Sequence, residues 1–584
     1  MLVVVTGVTG VTACGDNIHV RQTYSTPPDY PACPTGAPAI VSPTFHGDRS
    51  RTGWDAAEPD LTPSRVASSF DWMWDSDPLD DDGDGTPPRI HATPLYFDGL
   101  GPQPFVVVAT SNSWVYAIAA CTGAQRAGTI LWKTQLSTPV LVPNLDGGLP
   151  LGVLSTPVAD LAATPPRLYV TTLSTGGIEL FALELETGAI VPGWPLIFDP
   201  ATIMALDRNG PAIFEDGLHA DQRAALALDA SGSHLYAAFA SFADTAPGWL
   251  VAIDPQSVAI VASFSAAPSV QLVSNGGMWG AGGPAIDASG NVWITAGNSE
   301  QGPLPGTWGE SLLSFTPDLT LRGTYTPFDH CQLDAADTDV GGSSPLLLPD
   351  LDSATTATSH LVSFGGKQGT VYLVDRDHLP GSLSARPPCS TDSSTDGSLL
   401  PPDPQPQFGR RGPLNVFGPY TEDYGDLDHA KMRTPLVWFD GGAAGQFLYA
   451  TGSTKASVSS TQSVSPSVAR LKLETAPGQP AYLAIDAVDS SLVFKNAGPP
   501  LVTSNGAADP IIWVVDQNSL RTAATLDPTI ASPVLYAVDG MTMAPLYVSP
   551  PDRVGIGGKY ASVTIAHGWV FVVTDRLQAF GVRP

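Results

Sequence analysis

Apolar residues along this chain come in short runs broken by Gly, Pro, Asp, Asn or Ser. ATPLYF, PFVVVAT, WVYAIAACTG and ILWKTQL follow one another between Ala92 and Leu136. Runs this short, rich in Val, Ile, Tyr and Trp and bounded by turn residues, predict β-strands. No segment keeps a period of 3.6 long enough to predict a substantial helix, and none is apolar for long enough to cross a bilayer. The mature chain is expected to be soluble and all-β.

The four-run unit recurs. STPVADL, RLYVTTL, IELFALELETG and GWPLIF run from Ser155 to Phe198. Looser copies follow: AALALDASGSHLYAAF with WLVAIDP, GGPAIDASGNVWITAGN with SLLSFTP, and SSPLLLPD with HLVSFGG and TVYLVDRD. Then come RTPLVWF with FLYATG and VARLKLE, ADPIIWVVD with PVLYAVDG and PLYVS, and YASVTIAHGWVFVVTD with RLQAFGV. A unit of four strands cannot bury both of its faces alone, so repeats at roughly 50 to 90 residues have to stack into a closed ring. The expectation is an eight-bladed β-propeller of four-stranded antiparallel blades, with seven blades as the alternative. The last unit runs out at three strands, and SSFDWMWDS (Ser68 to Ser76) is the candidate fourth, which would close the ring and remove an exposed edge. One propeller is expected over residues 44–584, with a Pro- and Gly-rich surface insertion at about 387–428.

Charge narrows the partners. With 27 Lys and Arg against 56 Asp and Glu, the net charge is −29, which argues against a polyanion partner, so no nucleic acid is expected. At the N-terminus an apolar run ends in VTAC, with Gly15 and Asp16 after Cys14. This resembles a bacterial lipoprotein signal, although no Lys or Arg precedes the run. Residues 1–14 are then the signal with a lipidated Cys14, residues 15–43 a disordered tether, and the protein an exported one: lipid-anchored at the cell envelope, or secreted. Its contact with membrane is expected through the lipid alone. Cys33, Cys121, Cys331 and Cys389 allow up to two disulfides in any of three pairings. No CxxCH occurs, so no c-type haem is expected.

The stretch from Gly276 to Gly381 carries the chemistry. It reads GGMWG, DASGNVWITAGN, YTPFDH and GGKQGTVYLVDRDHLPG in order, and it resembles the middle blades of quinoprotein alcohol dehydrogenases, the pyrroloquinoline quinone (PQQ) propellers. HGDRSRTGW (His46 to Trp54) is similar to the lead-in of that family. In those enzymes a flat quinone lies on a Trp, calcium polarises its carbonyl, and a carboxylate takes the alcohol proton. Carried over by motif, the resemblance implies Trp279 as the stacking face, Asn298 as a calcium ligand, Asp329 as the base and Lys367 as the cation on the quinone.

Other parts of that pattern are missing. There is no adjacent Cys pair, and the calcium-binding Glu of the second blade has no clear match, Glu179 standing out of register. A second calcium candidate is DDDGDG, where Asp80, Asp82 and Asp84 with Gly85 fit the start of a calcium loop, but His91 stands where a bidentate Glu belongs. Two functions follow as expectations. One is a non-catalytic binding or scaffold module at the cell envelope with a protein, peptide or glycan partner, similar to the PQQ-repeat lipoprotein that scaffolds outer-membrane protein assembly. The other is a PQQ- and calcium-dependent alcohol dehydrogenase.

Overall fold

In a computed structural model the described residues are 27–583, excluding 37–38, 142–149, 215–219, 243–244, 270–274, 300–301, 303, 393–394, 396–410, 413–414, 417–419, 421–429, 455–464 and 519–531. Cys14 and the signal lie outside them, as does most of the insertion at 387–428. Eight antiparallel blades form a ring. Their innermost strands are Leu95–Phe97, Val158–Asp160, Ala227–Leu228, Ala285–Ile286, Leu346–Leu347, Val437–Asp440, Leu501–Asn505 and Thr564–Ala566, heading blades 1 to 8. Blade 8 takes its outer strand from Phe70–Asp75, which pairs antiparallel with Leu577–Val582, so the closure read from the Trp-bearing segment holds.

Period-2 alternation makes the ring. In the blade 3 strand Leu235–Ser241, Leu235, Ala237 and Phe239 pack towards blade 2, while Tyr236 and Ala238 pack towards blade 4. Both faces of each sheet are thus consumed by neighbours. Every junction carries one apolar cluster, including that between blades 8 and 1, where Trp74, Phe571, Tyr96 and Val106 meet. The repeated DASG runs are hairpin turns. Asp287 Oδ1 accepts from the Ser289 and Asn291 amides at 2.9 Å each, and Gly290 supplies the positive φ.

The lead-in is more than a lead-in. Residues 40–55 visit the innermost strands in order, forming a belt along edges that would otherwise be unpaired. The Ser42 amide donates to Tyr96 O in blade 1 and Pro43 O accepts from Ala159 in blade 2. Arg49 donates to Leu228 O in blade 3 and its own carbonyl accepts from Ile286 in blade 4. Ser50 O accepts from Leu347 in blade 5, Thr52 O from Trp438 in blade 6, and Trp54–Asp55 pairs parallel with Leu501–Asn505 in blade 7. A short helix α1 (Pro63–Ser69), capped by Thr62, then delivers the chain to the closing strand.

The tether expected over 15–43 is corrected in its second half. Asp29 donates to Met73 O, Ala32 bridges to Thr122, Cys33 is disulfide-bonded to Cys121, and Val41 bridges to Phe97. The apolar contacts of Tyr30 and Ile40 with the cluster between blades 8 and 1 anchor this stretch to the ring despite its Pro-rich composition.

Candidate functional site

In a propeller the segment entering each innermost strand lies beside the central channel, so its side chains converge there whatever their distance in sequence. Trp279 precedes the first strand of blade 4, Asn298 follows the second strand of that blade, Val292–Ala296, and Lys367 sits on the GGKQG turn of blade 5. Lys367 Nζ stands 5.0 Å from the Trp279 ring centroid, so two of the residues expected from sequence are in direct contact. Asn298 adjoins this pair through Gly297. A Cβ on Gly297 would come within 2.6 Å of Asp339 Oδ2 and 3.2 Å of Trp279 Nε1, which is why only glycine fits there.

The carboxylate that touches both Trp279 and Lys367 is Asp339. Its Oδ2 accepts from Trp279 Nε1 at 3.0 Å and its Oδ1 lies 2.5 Å from Lys367 Nζ. Asp329, expected as the base, is fully buried at the head of helix α2 (His330–Ala336). The helix inserts between the two aspartates, and Asp337 at its C-terminal end adds a second carboxylate 2.6 Å from Lys367. At ~1.5 Å per residue the helix carries the chain about 12 Å from Asp329 before the pair is reached. The motif singled out Asp329, and the carboxylate in contact with Trp279 and Lys367 is Asp339, beyond the helix that Asp329 heads.

Behind this pair lies Glu310, buried, with Oε2 accepting from the Val340 amide at 2.8 Å. Burial first, and then the charges of Asp339 and Asp334, push its carboxyl well above the ordinary range. A carboxyl raised in the folded state favours its protonated form there, so stability falls as pH rises from about 4.5 through the raised pKa. Glu310→Gln keeps the acceptor and removes the charge. It is expected to raise the thermal midpoint near pH 8, by about 1–3 kcal/mol equivalent, and to change little near pH 4.5. An unchanged midpoint at both pH values would contradict this.

The opposite wall was missed by sequence reading. Tyr560 precedes the first strand of blade 8, with its ring 6.1 Å from that of Trp279 at an interplanar angle of 43°. Lys559 Nζ lies 4.8 Å and Arg223 Cζ 5.6 Å from the Tyr560 ring centroid. A signal was present: Arg223 in RAALAL and Tyr560 in YASVTI hold the same place in the repeat, immediately before the innermost strand.

Calcium is poorly served by these residues. A hard cation needs several oxygen ligands carrying charge. The two carboxylates at the Trp279 face are held by Lys367, and Asn298 offers one neutral amide. Among the described residues the one place where three His, Cys, Asp or Glu ligand atoms converge is His330, Cys331 and Cys389, whose cysteines form a disulfide. Glu179 pairs with Ile197 on the outer half of blade 2. In the acidic loop, Asp80 accepts from Lys133 Nζ at 2.7 and 2.9 Å and from the Tyr116 hydroxyl at 2.9 Å. Asp82 Oδ1 accepts from the Asp84 and Thr86 amides. Asp80, Asp82 and Asp84 thus form no cluster of metal-binding dimensions. The flat quinone is better matched than the metal, since Trp279 gives an aromatic face and Lys367 a cation.

No protein-family model and no curated protein matches the chain. Solved structures do. The quinohemoprotein alcohol dehydrogenase of Comamonas testosteroni is similar over 93% of this chain and 80% of its own, with a TM-score of 0.53 and 15% identity. The quinohemoprotein alcohol dehydrogenase ADHIIG of Pseudomonas putida HK5 covers 95% and 83%, with a TM-score of 0.49 and 13% identity. The likeness to the first of these shows the fold, an eight-bladed β-propeller. That likeness is one of fold, and a fold does not carry an activity with it.

Proposed function

We propose that this protein is a non-catalytic binding module on a quinoprotein-type propeller, exported to the cell envelope or secreted, with a protein, peptide or glycan as partner. One observation carries the reading: Lys367 pairs with both Asp337 and Asp339, so among the described residues the two carboxylates at the Trp279 face are engaged by a cation and not open to calcium. Export is supported by the two disulfides, Cys33–Cys121 and Cys331–Cys389, which suit an oxidising compartment. A lipid on Cys14 would supply the membrane attachment.

A second reading, PQQ-dependent alcohol oxidation, is favoured by the convergence of Trp279, Lys367 and Asp339 with Asn298 alongside. In that case Asp339, not Asp329, would accept the alcohol proton, and Trp279 and Lys367 would hold the quinone. The group when bound would supply the hydride acceptor.

The two separate in one titration. Purified protein is mixed with PQQ, with and without calcium, while Trp fluorescence, thermal midpoint and dye reduction by primary alcohols are followed, with Trp279→Ala and Asp339→Asn as controls. The binding module predicts no calcium-dependent shift and no dye reduction. Calcium-dependent quenching lost in Trp279→Ala, with turnover lost in Asp339→Asn, would replace it by the dehydrogenase.

A further inference from the structure

We propose that His330, Cys331 and Cys389 form a zinc(II) site that exists when the Cys331–Cys389 disulfide is reduced and is lost when the bond re-forms. The three residues gather at the head of helix α2, whereas Asp337, which reaches Lys367, stands at its other end. The site is therefore separate from the Trp279 face and uses none of the side chains placed there.

One ligand atom from each of His330, Cys331 and Cys389 lies within 4.8 Å of the other two, the closest such grouping of metal-binding side chains among the described residues. His330 is fully buried, and its Nε2 meets the Pro387 carbonyl at 3.1 Å. A carbonyl can only accept, so Nε2 carries the proton and the Nδ1 lone pair is left for another partner. Nδ1 stands 3.9 Å from Cys331 Sγ. An imidazole with its outer nitrogen tied to a backbone carbonyl and its inner nitrogen turned to sulfur has the orientation of a metal ligand. The Cys331 amide donates to Cys389 Sγ at 3.1 Å, and a donor of that kind stabilises a thiolate more than a thiol.

The ligands are held together by more than the disulfide. The Ser390 amide donates to Phe328 O at 2.8 Å and Arg386 Nη1 to Gly309 O at 2.9 Å, so the chain on both sides of Cys389 stays against its neighbours after reduction. The reduced pair then offers two charged, soft sulfurs and His330 one neutral nitrogen, a set that selects zinc over calcium. Asp334 Oδ2 lies 3.9 Å from His330 Nδ1, but it also faces Arg386 Nη1 at 3.5 Å, and Oδ1 accepts from the Ser299 amide at 2.7 Å. The fourth position is thus left to water. In the oxidised state the sulfurs carry no thiolate charge and bind no zinc. The conversion balances: a dithiol passes two electrons and two protons to the disulfide and becomes a disulfide itself, and zinc then displaces the two thiol protons to solvent. Cys331 and Cys389 are half-buried and within reach of such a reductant, whereas Cys121 of the other disulfide is fully buried.

Zinc uptake by the full chain is the test. The protein is reduced with a phosphine, freed of reductant without air, and titrated with zinc against a chromophoric chelator, with cobalt(II) as a spectroscopic probe. The reduced chain is expected to bind zinc at least about a hundredfold more tightly than the oxidised chain, and thiolate-to-cobalt absorption should appear in the reduced chain alone. His330→Gln is expected to weaken zinc by about tenfold or more. Cys331→Ser combined with Cys389→Ser is expected to abolish uptake while Cys33–Cys121 remains in place. Should His330→Gln not fold, Cys389→Ser, at a half-buried position outside any strand or helix, takes its place. Zinc is also expected to slow re-formation of the disulfide by glutathione disulfide about tenfold or more. Equal zinc affinity in the two redox states, no uptake by the reduced chain, or unchanged uptake in the double serine variant would overturn the site.

Discussion

Arg51→Ala is expected to lower the thermal midpoint of this protein by far more than truncation of an exposed arginine does. The Arg51 side chain is fully buried and donates to Thr44 Oγ1 at 2.6 Å, Phe45 O at 3.1 Å, Pro284 O at 3.1 Å and Leu226 O at 3.0 Å. It therefore ties two turns of the belt to the entries of blades 3 and 4. Burial lowers its guanidinium to about 10, so it remains a cation at neutral pH. Alanine leaves three buried carbonyls without that donor and a void beside them. At ~1–3 kcal/mol for each stranded polar group, the loss is on the order of 4 kcal/mol. The control is Arg65→Ala, whose pair with Asp60 is exposed and contributes at most about 1 kcal/mol. Comparison of midpoints at one scan rate decides the matter, and equal shifts in the two variants would refute the belt as a stabilising element.

Lys367→Met is expected to destabilise by a similar amount, about 3–5 kcal/mol, and to do so with a pH signature that Arg51→Ala lacks. Removing one partner of a buried ion pair leaves the other charge uncompensated. Here Asp339 is left buried, with Glu310 and its raised carboxyl behind it. In the wild type, burial acts to lower the Lys367 ammonium, but Asp339 and Asp337 outweigh it and the group is raised, so it is charged throughout the neutral range. Without that cation the acids take up protons more readily in the folded state, and the variant should recover stability as pH falls towards 5. Adding Asp339→Asn should restore much of the loss, and a double-mutant cycle measures the coupling. A deficit independent of pH, or no rescue by the second substitution, would show that the ammonium acts by packing rather than by charge.

The ring could be read from sequence because it is written in local patterns. Strand runs, DASG turns and the Trp-bearing closing segment each declare themselves within a few residues, and a unit that cannot bury its own faces has to be stacked. Trp279 and Lys367, which the structure brings into contact, each stand in a compact motif of the same local kind. The first strand of blade 7, Leu501–Asn505, was not singled out. It is edged by the belt, whose pairing lies more than four hundred residues away in sequence.

What the chain determined by itself is the repeat: short apolar runs, period-2 faces and turn residues suffice to specify eight four-stranded blades and the segment that seals them. What only the tertiary structure decided is which side chains share the channel. Asp339 stands beside Trp279 and Lys367 just past a seven-residue helix, and Arg223, Lys559 and Tyr560 meet because closure brings blades 3 and 8 around one axis. The belt and the ordered stretch from residue 27 follow the same rule. A ring converts distance along the chain into position around an axis, so local pattern names the blades while closure alone chooses the neighbours across the channel.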